Sequence, residues 1–226
     1  MIKKSFPLAA GLAAFTSVAL VTGCASDSKP DYTSMSAEEL AEHLVFETES
    51  FRMDQEVQEG GRAEQRMVQD EIQQACSVVG GGNPDSEALA RVAELARDTI
   101  EYPEGGIELG DWEKGAELAW SGFGYRIGHN YDNHDQRETG GLCVNCHEMQ
   151  PDRIEGTIGT DLTGYGRERG DSDAMIKFAY DMMYNPHATF ACTDMPRFGA
   201  KDLLDKDQIQ HLLAYLFDPE SPVNQE

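Results

Sequence analysis

The chain has 226 residues, with 18 Lys and Arg against 41 Asp and Glu, a formal net charge of −23. That length holds one globular domain with an extension, or two small domains. A hydrophobic fraction of 40% beside 26% charged residues excludes a wholly disordered chain and a multi-span membrane protein. The acid excess excludes nucleic-acid binding, which needs basic patches, opposes docking on anionic lipid, and favours basic partners or a saline habitat.

Lys3 and Lys4 precede an apolar run over residues 6–21, and small residues follow before Cys24. A basic start, a short apolar stretch and a small-residue end predict a secretory signal over 1–23, since the run is too short and too rich in Ala and Gly to span a bilayer. Leu20-Val21-Thr22-Gly23-Cys24 resembles a lipobox, which predicts lipid on Cys24 and a periplasmic chain anchored to the membrane. The competing reading is ordinary cleavage after Ala25. Export permits disulfides.

Residues 24–36 form a polar tether without helical periodicity. Ser36-Ala37-Glu38-Glu39 is a capping box, so a helix starts there with Leu40, Leu44 and Val45 on one face. A second helix is predicted over about 62–79, carrying Met67, Ile72 and Cys76 and ending at three glycines. A third is predicted over about 86–100, with Leu89, Val92, Leu95 and Ala96 inward and Pro103 beyond its end. From Gly110 the texture changes. Asp111 can cap a helix over 112–121 whose face Gly115, Leu118 and Ala119 is small enough for close packing. A Gly- and Asn-rich stretch leads to Cys143, and a loop with repeated Gly follows His147. Another helix is predicted over 172–184, then a loop holding residues 192–199. In the last helix, Asp205 pairs with Gln208 as a capping box, and Ile209, Leu212, Leu213 and Leu216 recur at i, i+3, i+4 and i+7. No useful strand alternation occurs. The expectation is an all-α protein with a helical extension at 37–107 and a functional domain at 108–226.

Cys143-Val144-Asn145-Cys146-His147 is the C-x-x-C-H signature of covalent c-type haem attachment. Two thiols three residues apart add to the two vinyl groups of the haem, and the adjoining His147 lies under the iron as an axial ligand. A thioredoxin-type redox pair would need a βαβ context, and zinc would need a second ligand pair; neither is evident. One covalently held haem c is therefore predicted.

The second axial ligand must come from elsewhere. Met149 is too close to His147, and Met175, Phe178 and Met182 share a helix face of the kind that packs in a core. Met195 sits on a loop, and Pro196 keeps it out of a helix. Met195 is the predicted partner of His147, because a thioether held there raises the potential relative to two histidines. His129, His134, His187 and His211 are the alternatives. With Cys24 taken by lipid and Cys143 and Cys146 by haem, Cys76 and Cys192 remain. In an exported protein they are expected to pair, stapling the extension to the loop of Met195. Two buried free thiols, or one catalytic thiol, are the competing readings.

With these residues placed, the domain resembles a class I cytochrome c. Gly115 and Tyr215 stand where the first and last helices of that family cross. Gly159-Thr160-Asp161-Leu162 resembles the Gly-Pro-x-Leu segment whose proline carbonyl accepts a hydrogen bond from the haem histidine; Thr160 departs from it but keeps a carbonyl. The resemblance sharpens to SoxX, the monohaem subunit family of the thiosulfate-oxidising SoxAX cytochromes. It is carried by Tyr102-Pro103, Gly110-Asp111-Trp112, the stretch Gly140 through His147, Gly156-Thr157-Ile158-Gly159, Tyr165-Gly166 with Arg169-Gly170, the loop Ala191-Cys192-Thr193-Asp194-Met195-Pro196-Arg197-Phe198-Gly199, and Asp218-Pro219-Glu220-Ser221-Pro222-Val223-Asn224. It covers about three-quarters of the chain, and a lipid anchor departs from the soluble subunits common there.

The resemblance implies a heterodimer with a SoxA-like catalytic haem subunit, which joins thiosulfate to a cysteine of a SoxYZ-like carrier. This chain would accept the electrons and pass them to a small soluble cytochrome c, with no catalytic residue of its own. The chain would thus be the electron-transfer subunit of an L-cysteine S-thiosulfotransferase complex. Arg197 would meet a haem propionate, or else form a surface salt bridge. The rival readings are a free-standing periplasmic electron shuttle, a haem sensor or peroxidase with an open iron position, and a docking module whose haem is structural.

Overall fold

In a computed structural model, the structure describes residues 30–48, 50–57, 61–77, 84–124, 138–150 and 152–225. Residues 1–29, and with them the signal, Cys24 and the start of the tether, lie outside the described residues, as do His129 and His134. Eight α-helices are described: α1 (Ala37–Glu42), α2 (Ala63–Met67), α3 (Glu71–Cys76), α4 (Ser86–Arg97), α5 (Trp112–Trp120), α6 (Tyr165–Arg169), α7 (Asp173–Tyr184) and α8 (Lys206–Phe217). Among the described residues there is no strand, only an isolated antiparallel bridge between Glu56 and Arg62. The protein is all-α. No helix among the described residues is long and apolar enough to cross a membrane.

The caps explain most of the boundaries. The Ser36 hydroxyl accepts the Glu39 amide while the Glu39 carboxylate accepts the Ser36 amide at 2.8 Å, closing the box that starts α1. The helix then widens into a π turn over His43–Glu47. Asp205 and Gln208 close the same reciprocal box at the start of α8.

One predicted helix is corrected. Residues 62–79 do not form a single helix: Val68 is extended, and α3 begins afresh from Asp70, whose carboxylate accepts the Gln73 amide at 2.9 Å. The break lets that carboxylate reach cations from the far end of the chain, as described below. The third helix ends at Arg97, three residues short of expectation, where the Asp98 amide still bonds back to Glu94. Its start at Ser86 is as predicted, with Asp85 as the cap.

The main core lies where α5 crosses α8. A Cβ at Gly115 would overlap the His211 carbonyl and approach the Tyr215 Cβ, so glycine there sets how closely the two helices approach. Around this crossing are buried Leu118, Ile209, Leu212, Leu213, Tyr215 and Phe217, with Tyr180, Met183 and Tyr184 of α7 packed against them. The expected α7 face is therefore shifted: Phe178 is 38% exposed, and Ala179, Tyr180, Met183 and Tyr184 turn inward instead.

The 218–224 tail acquires a structural role. The Asn224 side chain accepts the Gly166 and Arg167 amides at 3.0 and 3.1 Å and donates to the Leu216 and Asp218 carbonyls at 3.0 and 2.8 Å. All of its polar capacity is used, clamping the end of α8 to the start of α6. That clamp creates a helix, α6, inside the glycine-rich loop where none was predicted. The Tyr165 ring meets Phe217 edge-on at 5.3 Å.

A smaller core joins the extension to the domain. Ile72 of α3 and Val92 and Ala96 of α4 are buried against Cys76, Ala188, Ala191 and Cys192.

Candidate functional site

Cys143, Cys146 and His147 share one turn. Leu142 adopts a left-handed conformation at φ 46° and opens a 3₁₀ turn over Cys143–Asn145. The Cys146 and His147 amides both donate to the Cys143 carbonyl, at 3.1 and 3.0 Å. The turn is tied to the end of α5, because the Gly141 and Leu142 amides donate to the Leu118 and Ser121 carbonyls, each at 2.9 Å. Val144 and Met149 are buried beneath it. Cys143 and Cys146 are not bonded to each other. Burial pushes the Cys143 thiol up to about 12, so it carries little thiolate near neutrality and is a poor catalytic nucleophile.

The segment after the motif is folded onto this turn by glycines. The Gly156 amide donates to Val144 at 2.8 Å and the Gly159 amide to Cys146 at 2.6 Å. A Cβ at Gly156 would overlap the Asn145 carbonyl, and one at Gly159 would overlap the His147 imidazole. With no side chain at 159, the ring lies against the backbone and its Nδ1 meets the Thr160 carbonyl at 2.7 Å. A carbonyl only accepts, so Nδ1 carries a proton, and in the neutral ring Nε2 is the nitrogen with the lone pair. This is the arrangement that orients a ligating histidine and raises its basicity. Two unpaired thiols and an imidazole with a free Nε2, on one turn, fit covalent haem attachment in their donor chemistry.

Glu155 accepts the amides of Met149 and Gln150, and the Gln150 side chain donates to the Tyr215 hydroxyl at 2.8 Å, as does the Trp120 indole at 3.3 Å. The post-motif loop is thereby coupled to the helix crossing. Ile154 and Ile158, on either side of Gly156, stand fully out in solvent.

Met195 is partly buried and packs against the same apolar cluster that contains Cys143, Val144 and Met149. It also lines a cavity of about 340 Å³ shared with Gln73, His187 and the cysteine pair. Among the other candidate ligands, His211 Nδ1 accepts the Asp111 amide at 2.8 Å and His187 Nδ1 accepts the Cys192 amide at 3.1 Å. Burial and the nearby Arg197 charge lower the His187 pKa, in keeping with a neutral, packed ring. Met175 Sδ lies 3.8 Å from the Tyr165 hydroxyl. Each of these groups has a structural occupation.

Cys76 and Cys192 are joined in a disulfide that closes a loop of 116 residues, as the cysteine arithmetic predicts. On the chain-entropy view such a closure stabilises by about 4–5 kcal/mol. Arg197 is 9% exposed and pairs with Asp70 at 2.8 Å, where Lys201 joins at 2.5 Å. Its ion pair is therefore buried on the arginine side and half-buried at Asp70. Burial pushes the Asp70 carboxyl up, but hydrogen bonds from Arg197, Lys201 and the Gln73 amide outweigh it and hold the group well below the usual carboxylate range. Asp70 is the residue missed, though it was readable as the cap Asp-x-x-Gln; Asn224 was named in the 218–224 motif, but its clamping role had no local signal.

No protein-family model matches the chain. Over 158 residues, 70% of this chain, it is 37% identical to an uncharacterized lipoprotein of Aquifex aeolicus (strain VF5), and the match spans 73% of that protein. The chain belongs to the family of that lipoprotein. The match covers more than the 108–226 domain alone could supply, so the family shares part of the extension as well.

Proposed function

We propose that this chain is a lipid-anchored monohaem c-type cytochrome that accepts electrons as the SoxX-like subunit of a thiosulfate-oxidising complex. The observation that carries the haem reading is the 2.7 Å bond from His147 Nδ1 to the Thr160 carbonyl, on the same turn as two unpaired thiols. A haem bound there supplies a one-electron iron couple. Cys143 and Cys146 would tether it, His147 would offer Nε2 to its iron, and Met195 would supply the other ligand, a soft sulfur that favours the reduced state. The lipoprotein relative supports lipid at Cys24 and a periplasmic anchor. A class I cytochrome c fold for 108–226 is supported by the α5–α8 crossing at Gly115 and Tyr215.

The sulfur chemistry rests on the sequence resemblance. A carrier thiol and thiosulfate joining through a new S–S bond release one proton and two electrons, and the bond is made on a SoxA-like partner. Nothing in the 143–147 turn offers a reactive thiol beyond those two tethers. This chain's part is to hold its group, exclude water from it and pass electrons singly to a small soluble cytochrome c.

The test is purification of the native chain with its bound partners, followed by intact mass, haem count and a spectrum before and after thiosulfate. A single covalent haem, a second haem protein that co-purifies and reduction by thiosulfate are expected. A monohaem chain that no sulfur compound reduces overturns the SoxX-like reading in favour of a free-standing shuttle. A chain without covalent haem overturns both.

A further inference from the structure

The extension grips the loop that carries Met195 from both sides of that residue. Cys192, three positions before it, is bonded to Cys76 at the end of α3. Arg197, two positions after it, is paired with Asp70 at the start of α3, and Lys201 shares the same carboxylate oxygen. Upstream, Arg97 at the end of α4 donates to the Ala188 carbonyl at 3.2 Å, and Asn185 donates to Thr99 at 2.8 Å. Ala188, Ala191 and Cys192 complete the small core made by Ile72, Val92 and Ala96.

After Pro196 the loop is tied to the domain, by the Ala200 amide to the Tyr184 carbonyl at 3.0 Å and by buried Phe198, whereas the backbone at Met195 itself is held weakly. The Met195 amide reaches only the Thr193 hydroxyl, at 3.5 Å, and no helix runs between residues 189 and 205. Cys192 sits at φ 60°, a left-handed conformation that a non-glycine residue keeps only where surrounding contacts impose it. Those contacts are the disulfide to Cys76 of α3, the small core shared with α4, and the bond from the Cys192 amide to His187 Nδ1 at 3.1 Å.

On the reading of Met195 as an iron ligand, we infer that Asp70 and Cys76 are positioning residues: the extension fixes the 192–201 loop and so controls how readily Met195 yields its place to another ligand. The extension is then part of the electron-transfer site rather than a spacer from the membrane. Removing the Asp70 charge leaves Arg197 buried without its counterion, and such a group moves towards water. Only Pro196 separates Arg197 from Met195 along the chain.

The experiment uses the full holoprotein in its oxidised state and follows displacement of the second axial ligand by imidazole. Asp70→Asn and the double variant Cys76→Ala/Cys192→Ala are expected to bind imidazole at least tenfold more readily than the native chain. Asp70→Glu restores the native behaviour in part, and Lys201→Gln, which leaves the Arg197 pair intact, has a smaller effect. Tyr102→Phe removes the hydroxyl that bridges to Lys177 and Asp181 of α7, away from the loop, and serves as the control: it lowers stability but leaves imidazole binding unchanged. The inference is overturned if Asp70→Asn and the cysteine variant match the native chain while Met195→Ala binds imidazole freely. If Met195→Ala itself matches the native chain, the assignment of Met195 fails, and the inference with it.

Discussion

The His147 imidazole donates from Nδ1 to the Thr160 carbonyl across 2.7 Å, and the space that permits this contact is the missing side chain of Gly159. Three consecutive choices are thus linked. A histidine placed by the Cys143–Asn145 turn, a glycine that lets backbone lie on its ring, and a carbonyl that fixes its tautomer leave Nε2 as the only free nitrogen. Proline is not required at 160 for this, because the Gly156 and Gly159 amides already pin the segment to the Val144 and Cys146 carbonyls.

Gly159→Ala tests that linkage. The new Cβ overlaps the imidazole, so either the ring or the 158–160 backbone must shift. Overpacking of this kind costs about 1–3 kcal/mol. The expected outcome is a lower melting temperature and, on the proposed haem reading, a smaller yield of covalent haem. Thermal unfolding and haem-stained gels read the two separately. A variant with native yield and native stability would show that the ring does not lie against residue 159.

Asn224 offers a second test, at the opposite end of the domain. Asn224→Ala removes four hydrogen bonds and leaves the Gly166 and Arg167 amides without their acceptor at the start of α6. A buried group left unpaired costs about 1–3 kcal/mol, so a loss of about 2–4 kcal/mol is expected in denaturant unfolding. Hydrogen exchange should show the 164–169 amides losing protection first. Asn224→Asp keeps the acceptor but not the donors, and falls between the two.

What the sequence discloses here depends on how local each cause is. The α8 helix was legible because its capping box and its four apolar positions lie within twelve consecutive residues. The disulfide was legible by counting, since each of the other three cysteines had an expected use. The break between α2 and α3 was legible only as the cap Asp70-x-x-Gln73, and the ion pair of Asp70 was not legible, because Arg197 lies far along the chain, outside any window around residue 70. The same holds for α6, which exists because Asn224 and Phe217 cover it. The pattern on α7 misled for a different reason. Phe178 has helical spacing to Met175 and Met182, but the buried stripe is displaced by about one position towards the tyrosines, whose rings pack on the core and on Tyr102.

Gly115→Ala probes the helix crossing. The added methyl would overlap the His211 carbonyl, and α5 cannot retreat without loosening the bond from Trp120 to the Tyr215 hydroxyl. Helix propensity alone favours alanine by about 1 kcal/mol. A net loss of stability therefore measures the crossing itself. Destabilisation by about 1–3 kcal/mol is expected in urea. A stabilised variant would mean that the helices are further apart than the structure places them.

The Asp70 ion pair makes an acid-sensitive contribution whose sign can be worked out. The Asp70 carboxyl lies well below the ordinary range in the folded chain, because Arg197, Lys201 and the Gln73 amide favour its charged form more strongly than burial opposes it. An unfolded aspartate titrates near 3.9, about the value at which the folded and unfolded states begin to differ in proton uptake. The stabilisation is therefore fully present above that pH and is lost as pH falls towards the folded pKa. Nearby His187, whose pKa is lowered by burial and by the Arg197 charge, protonates on the acid side and weakens the fold further. Melting curves of the native chain and Asp70→Asn should differ most at pH 6 and converge below about pH 4. Curves that stay parallel down to pH 2 would show that the carboxylate is not paired as the structure has it.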